Sequence, residues 1–142
     1  MATIEVNTNR KEIEIVRDGQ NVGSIFFSPS DTSIIARLSE AEKRINGLVF
    51  SDEAKNSVEE MVAEMKRCDG VIRDSIDYAF GYPVSEVVFG DSFSYTTDNG
   101  VSAVEQFLRG AMDYIEKELG AEVKKAKARQ DKYLKKYKGG KR

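Results

Sequence analysis

The sequence predicts an α+β domain in which an N-terminal antiparallel β-hairpin, a small sheet, packs with three main helices and one short helix. Two alternating runs within residues 11–27 flank an Asp18-Gly19 pair, which is typical of a hairpin. From residue 32 onward, apolar side chains recur every three or four positions, which indicates amphipathic helices. This spacing nearly ends after Val123, so we expect the C-terminal helix to project from the body.

The chain has 142 residues, a length that suits one domain with one sizeable core. We expect residues 1–123 to form a single α+β domain and residues 124–142 to form a basic tail, helical or frayed. The net charge of −2 divides unevenly, because the tail has ten basic residues and one acidic residue and therefore carries +9. The remainder carries −11, so the tail can contact a second copy, an acidic partner or nucleic acid.

The hairpin is predicted in detail by alternation and turn chemistry. In residues 11–16, Ile13 and Ile15 share one face, and Asp18-Gly19 suits a type I′ turn, which needs positive φ at both central positions. Residues 22–27 form the return strand, in which Gly23 indicates either a bulge or a close contact. A weaker alternation predicts an additional strand at residues 3–6.

Two adjacent aromatic residues end the return strand. Phe26 and Phe27 must point to opposite faces of the strand, so one of them leaves the core unless another element covers it. We take Phe27 as a candidate partner contact, the alternative being burial of the side chain in the core.

The helices follow from caps and apolar spacing. The first is expected over residues 32–46, after Ser30 or Asp31, and the second starts after Ser51 or Asp52 and continues to Phe80. Gly70 interrupts the second helix, so a kink is possible there.

A polar loop is expected over residues 91–100, and the third main helix begins near Val101. Phe93 and Tyr95 lie in this loop and are candidate partner contacts if the loop is at the surface. They would then be exposed aromatic side chains flanked by polar residues.

Composition argues against catalysis. The chain has no His and one Cys, Cys68, so it has no His-activated nucleophile, no histidine metal site and no internal disulfide. It has neither a phosphate-binding loop nor a dinucleotide-binding glycine motif. We therefore expect no enzyme activity, no cofactor and no metal, and we expect Cys68 to be a small core residue. The lack of a long apolar run and of a signal sequence predicts a cytoplasmic protein.

The segment over residues 76–91, IDYAFGYPVSEVVFGD, is the most informative part of the chain. Phe80-Gly81 ends the long second helix, Pro83 starts a short one, and Phe89-Gly90 ends it. Aromatic residues at two consecutive helix ends, each followed by a glycine able to adopt positive φ, predict a rigid apolar corner. We expect Phe80 and Phe89 to be largely buried, and we keep both as candidate partner contacts.

This corner and the order of the elements carry one family resemblance. The residues that match are Asp77, Phe80, Gly81, Ser85, Phe89, Gly90 and Asp91. With the order hairpin, helix, long helix, corner, late helix and Lys-rich end, the chain resembles tail assembly chaperones encoded beside the tail genes of phages and prophages of Gram-positive bacteria. Tyr82-Pro83 departs from that pattern, because an acidic residue is expected after Gly81.

The resemblance implies a function without chemistry at a catalytic centre. It implies binding to the tail tape measure protein or to tail tube subunits before they polymerise, self-association as a homo-oligomer, and absence from the finished particle. A structural tail or head-tail connector protein that stays in the particle is an alternative.

A second alternative is a small nucleic-acid-binding protein that uses the basic tail. Tyrosines among the lysines could stack on bases, but the acidic body would repel a duplex, so we consider nucleic acid a less favoured partner than protein. The basic candidates for contact with any partner are Lys124, Lys125, Arg129, Lys132, Lys135 and Lys136.

Overall fold

The computed structural model describes residues 1–51 and 56–139, with side chains described as far as Lys132. Its first elements are strands β1 (Lys11–Arg17) and β2 (Gln20–Phe27), which pair antiparallel. Asp18 and Gly19 join them with φ of 51° and 79°, the two positive values of a type I′ turn. The predicted hairpin is confirmed.

A bulge bends this hairpin at Gly23. Ile15 pairs with Gly23 and Val16 with Asn21, so the register shifts and Val22 has no partner of its own. Gly23 has φ of 137°, and a Cβ atom there would lie 3.2 Å from Cγ1 of Val87. Gly23 therefore combines the bulge and the close contact that the sequence predicted as alternatives.

Four helices and a second small hairpin complete the described part of the fold. The helices are α1 (Ser33–Asn46), α2 (Val58–Phe80), α3 (Ser85–Phe89) and α4 (Ala103–Gly139). The second hairpin pairs β3 (Thr97–Asp98) with β4 (Val101–Ser102). The predicted α+β architecture is confirmed: it has three main helices, one short helix and a small antiparallel N-terminal sheet.

The core lies where the first hairpin meets the helices. Phe27 from β2 packs edge-on against Phe80 at the end of α2, with ring centroids 5.1 Å apart, and Phe80 contacts Phe107 of α4 at 5.5 Å. The hairpin is therefore covered by helices on one face. The largest buried side chains around these rings are Ile25, Ile34, Leu38, Ile72, Ile76, Val84, Phe89, Val104 and Ile115.

Among the described residues, one predicted strand is absent, and one helix has a later cap than the sequence predicted. Residues 3–6, although described, form no strand, and Ile4 and Val6 are 90% and 80% exposed. Helix α2 begins at Val58, well after Ser51 and Asp52, and Asp52 lies outside the described residues. Ser57 caps it by accepting a hydrogen bond from Glu60 N at 3.1 Å.

The predicted polar loop contains the second hairpin, which sequence reasoning missed. Asn99 and Gly100 form its turn with φ of 51° and 80°. The signal was an Asn-Gly pair, the same type of signal that identified the first hairpin. Helix α4 then begins at Ala103 because Ser102 Oγ accepts a hydrogen bond from Glu105 N at 3.2 Å.

Helix α4 continues well beyond the body. At 37 residues it is about 55 Å long, and the described side chains from Val123 to Lys132 are all exposed. The basic tail is helical as far as Gly139, in agreement with a projecting C-terminal helix.

Candidate protein-binding groove

Polar contacts fix α3 at both of its ends. At the N-terminus, Asp77 Oδ1 accepts hydrogen bonds from the backbone N–H groups of Val84 and Ser85, both at 2.8 Å, and Asp77 Oδ2 accepts one from Ser85 Oγ at 3.0 Å. One carboxylate at the end of α2 thus caps the next helix. Gly81, between them, adopts the left-handed conformation with φ of 79° that ends α2.

At the C-terminus of α3 the contact comes from strand β1. Arg17 Nη1 donates to the carbonyl oxygens of Val87 at 2.9 Å and Val88 at 3.2 Å, which lack helical partners at a helix end. Gly90 lies against the same guanidinium, so a Cβ atom at Gly90 would overlap Arg17. The corner of the two Phe-Gly pairs therefore docks directly on the first hairpin.

A second polar network holds the segment after α3. Arg73 Nε donates to Asp69 Oδ2 at 2.8 Å, and Arg73 Nη2 donates to the carbonyl oxygens of Gly90 and Ser92, both at 2.7 Å. Asp69 Oδ1 accepts from both N–H and Oγ–H of Ser94 at 2.7 Å, and Ser94 is fully buried. Sequence reasoning missed this network, because a carboxylate four residues before an arginine on a helix usually marks an exposed ion pair.

These contacts leave a groove between strand β1, the segment after α3 and helix α4. We call it the β1–α4 groove; it is half-open and has a volume of about 660 Å³. Its base is aromatic, formed by Phe27, Phe89 and Phe107, while Glu14 and Asp98 contribute charge to its walls. A volume of this size suits a peptide segment or a small molecule.

One wall of the groove is the edge of a strand. The six consecutive residues from Ile13 to Asp18 line it, so both faces and the backbone of β1 contribute. Strand β1 pairs with β2 on one side, and no other described strand pairs with it on the other. Alternate residues of such an edge direct free N–H and C=O groups outward, which is a template for an added strand.

Helix α4 forms the opposite wall of the groove, and this wall has space for a side chain at one position. Gly110 lines the groove, and a Cβ atom built there meets no atom within 4 Å. Tyr114 lies one turn further along the helix, and burial raises the pKa of its phenol. Small and aromatic residues thus alternate along this wall.

The aromatic candidates for partner contact differ in their exposure and in their position relative to the groove. Phe27 and Phe89 are 5% and 2% exposed but lie at the base of the groove, and Phe93 lies on its wall. Phe80 is 7% exposed, packs between Phe27 and Phe107 in the core and does not line the groove, so its role as a partner contact stays a prediction. The burial predicted for Phe80 and Phe89 is confirmed.

Phe26, and not Phe27, is the exposed member of the pair at the end of β2. Phe26 is 38% exposed, and the guanidinium of Arg10 lies 5.8 Å from its ring centroid. Phe27 faces inward because it has the same strand parity as Ile25, which is buried. Phe27 also lines the β1–α4 groove.

The two aromatic residues after α3 pack on each other. Phe93 and Tyr95 stack with ring centroids 5.2 Å apart, and the Tyr95 hydroxyl donates to the Met65 carbonyl oxygen at 3.2 Å. Both are half-buried, not fully exposed as the loop prediction implied, and burial raises the pKa of Tyr95.

The basic candidates lie away from the groove. Lys124, Lys125, Arg129 and Lys132 are exposed on α4, starting ten residues, or about 15 Å, beyond Tyr114. Lys125 Nζ lies 3.9 Å from Glu122 Oε1, and such an ion pair at the surface contributes little to stability. The side chains of Lys135 and Lys136 lie outside the described residues, so the role predicted for them stays a prediction.

The described residues hold no cluster of metal-ligating side chains, and their thiol is buried. Within residues 1–51 and 56–139, no group of three His, Cys, Asp or Glu side chains is placed to hold a metal ion. Cys68 is 5% exposed, a core residue as predicted, and burial raises the pKa of its thiol. None of the helices in the described part of the chain is both long and apolar enough to cross a membrane.

Comparison of this chain with protein-family models, curated proteins and solved structures gave no match. The groove therefore has to be interpreted from its own geometry. Within the described residues, it combines an aromatic base, a strand edge that pairs with no further strand, and a helix wall with space at Gly110.

Proposed function

We propose that the protein is an assembly chaperone or adaptor that binds the tail tape measure protein or tail tube subunits during morphogenesis of a phage or prophage tail. It would do so in the host cytoplasm and without catalysis. The single observation that carries the proposal is the β1–α4 groove, in which an unpaired strand edge lies beside an aromatic base.

The groove has the properties that a temporary partner site needs. A segment added along β1 gains backbone hydrogen bonds, and its alternate side chains reach the base formed by Phe27, Phe89 and Phe107. Charged side chains such as Glu14 and Asp98 keep part of the wall hydrated. A site of this size buries less surface than a permanent interface, so the partner can be released when the tail assembles.

Three of the residues that carry the family resemblance hold α3 beside this site. Asp77 and Ser85 fix the start of α3, and Gly90 lets Arg17 reach the end of the same helix. Substitution of any of these three residues would move α3, and with it Phe89 at the base of the groove. These contacts are a physical reason for the pattern on which the resemblance to tail assembly chaperones rests.

The basic tail supplies a second contact in the proposal. Its described part is exposed and helical and projects away from an acidic body. Such a surface attracts an acidic partner over a distance and loses that attraction as salt increases.

The test is co-expression with the tail tube protein and the tape measure protein of the same phage, followed by size-exclusion chromatography. Gly110→Leu fills the groove with a side chain that also favours helix formation, whereas Gly110→Ala leaves the groove open. We expect the wild type and Gly110→Ala to bind one of the two proteins, and Gly110→Leu to lose it. Failure to bind either protein, or equal binding by all three variants, would contradict the proposal.

One further measurement separates a chaperone from a structural component. Mass spectrometry of purified particles should find the tape measure and tube proteins without this chain. Its presence in stoichiometric amounts would favour the alternative of a tail or head-tail connector protein.

A further inference from the structure

The first eight residues are exposed and form neither a helix nor a strand. We call residues 2–8 the N-terminal arm. Ile4 and Val6, which share one face of an extended chain, are 90% and 80% exposed. Two β-favouring apolar residues at alternate positions are typical of a strand, yet in the described chain no strand pairs with them.

The arm does not enter the groove of its own chain. Asn9 turns the chain with φ of 60°, and Thr8 Oγ1 lies 2.9 Å from Ser28 Oγ, at the end of β2. Strand β2 lies on the already paired side of β1, because Lys11 pairs with Phe27. The arm thus leaves on the side away from the free edge of β1, and no arm residue lines the groove.

The arm and the free edge match in length and chemistry. Seven residues, the length of both the arm and β1, span about 23 Å when extended. The edge offers unpaired backbone groups that another strand can satisfy, whereas a helix has already used its own. The spacing of Ile4 and Val6 suits the apolar base, since alternate residues of an added strand face the same way.

We propose that the N-terminal arm of a second copy of this chain adds as a strand to the free edge of β1 and places Ile4 and Val6 in the β1–α4 groove. This inference rests on the proposed protein-binding role of the groove and names one occupant of it. Each copy has one arm and one groove, so a reciprocal exchange closes a symmetric dimer, and a one-way exchange builds a longer chain of copies.

The first experiment compares full-length variants by analytical ultracentrifugation of the purified protein alone. In an added strand, neighbouring residues direct their N–H groups to opposite sides, so proline at both Glu5 and Val6 must remove a ladder donor. We expect the wild type to form a dimer or larger species and Glu5→Pro/Val6→Pro to be a monomer. The matched control, Glu5→Thr/Val6→Ile, favours strand formation and should keep the association.

The second experiment supplies the arm in trans. A fluorescent peptide of residues 2–8 should bind the monomeric Glu5→Pro/Val6→Pro chain. Addition of Gly110→Leu to that chain should weaken binding about tenfold or more, while addition of Gly110→Ala should not. Thermal melts check that every variant is folded, as expected because no arm residue belongs to the core.

Three results would overturn the inference: a wild type that stays monomeric at the highest soluble concentration, a double-proline variant that still associates, or a peptide that does not bind. Because no tail protein is present, these results leave the proposed tail-assembly role standing. Conversely, failure of tail proteins to bind would leave the exchange of arms intact.

Discussion

Three charged side chains hold the segments around the groove by hydrogen bonds to backbone groups. Asp77 caps α3 at its start, Arg17 caps it at its end, and Arg73 holds the segment that follows. Each hydrogen-bonds to backbone groups at least seven residues away along the chain. Each therefore fixes the position of one segment relative to another. Loss of one partner leaves backbone groups unsatisfied, which costs more than the hydrogen bond itself contributes.

We expect Asp77→Ala to lower the free energy of unfolding by about 2 kcal/mol, because three hydrogen bonds that cap α3 are lost. Urea denaturation measures the change. Asp74→Ala removes an exposed carboxylate from the same helix and should change stability by less than about 0.5 kcal/mol. Equal effects of the two substitutions would show that the cap does not hold α3.

We expect Phe80→Ala and Phe89→Ala each to cost about 3–5 kcal/mol, the range for truncation of a core phenylalanine. Phe26→Ala is the control, because the ring of Phe26 is 38% exposed and points away from the core, so its truncation should cost much less. Chemical denaturation of the three variants decides it. Stability close to wild type for Phe80→Ala would mean that the corner is not the centre of the core.

At the scale of elements, short sequence motifs predicted the structures that depend on interactions between residues close in the chain. The Asp18-Gly19 turn and the helix stripes were readable because turn geometry and apolar spacing act within a few residues. The same local rules contained the two missed features. Ser57 with Glu60 is the signature of a helix start, and Asn99-Gly100 that of a hairpin turn.

The predicted strand at residues 3–6 fails for a different reason. Its alternation is real, but a strand needs a partner, and within the described chain the arm has none. If a second copy supplies the partner edge, the sequence pattern describes the assembled state and not the single chain.

At the scale of the whole molecule, the groove could not be predicted from the sequence. It depends on the separation of β1 from α4, which are more than 80 residues apart along the chain and are held in place by Arg17, Arg73 and the buried rings. Phe27, Phe89 and Phe93 were selected as single residues, and only their packing brings them to one cavity. The division of charge, in contrast, was readable from composition alone.

We expect a chain cut after Val123 to melt close to the full-length protein, because the described side chains beyond that point are exposed and bury no core. The same chain should associate less with itself or its partner at low salt, since attraction between exposed charges is screened over about 8 Å at physiological ionic strength. Thermal melts and light scattering of the two chains test this. A large loss of melting temperature with unchanged association would contradict it.

The most direct measurement of the central claim, that the β1–α4 groove binds a protein partner, is amide hydrogen exchange with and without the tail tube or tape measure protein. The Glu5→Pro/Val6→Pro chain serves as the sample, so that no second copy occupies β1. We expect exchange to slow along Lys11–Arg17 when the partner is added, while α1, which does not line the groove, stays unchanged. Partner binding that protects α1 and leaves β1 unchanged would contradict the claim.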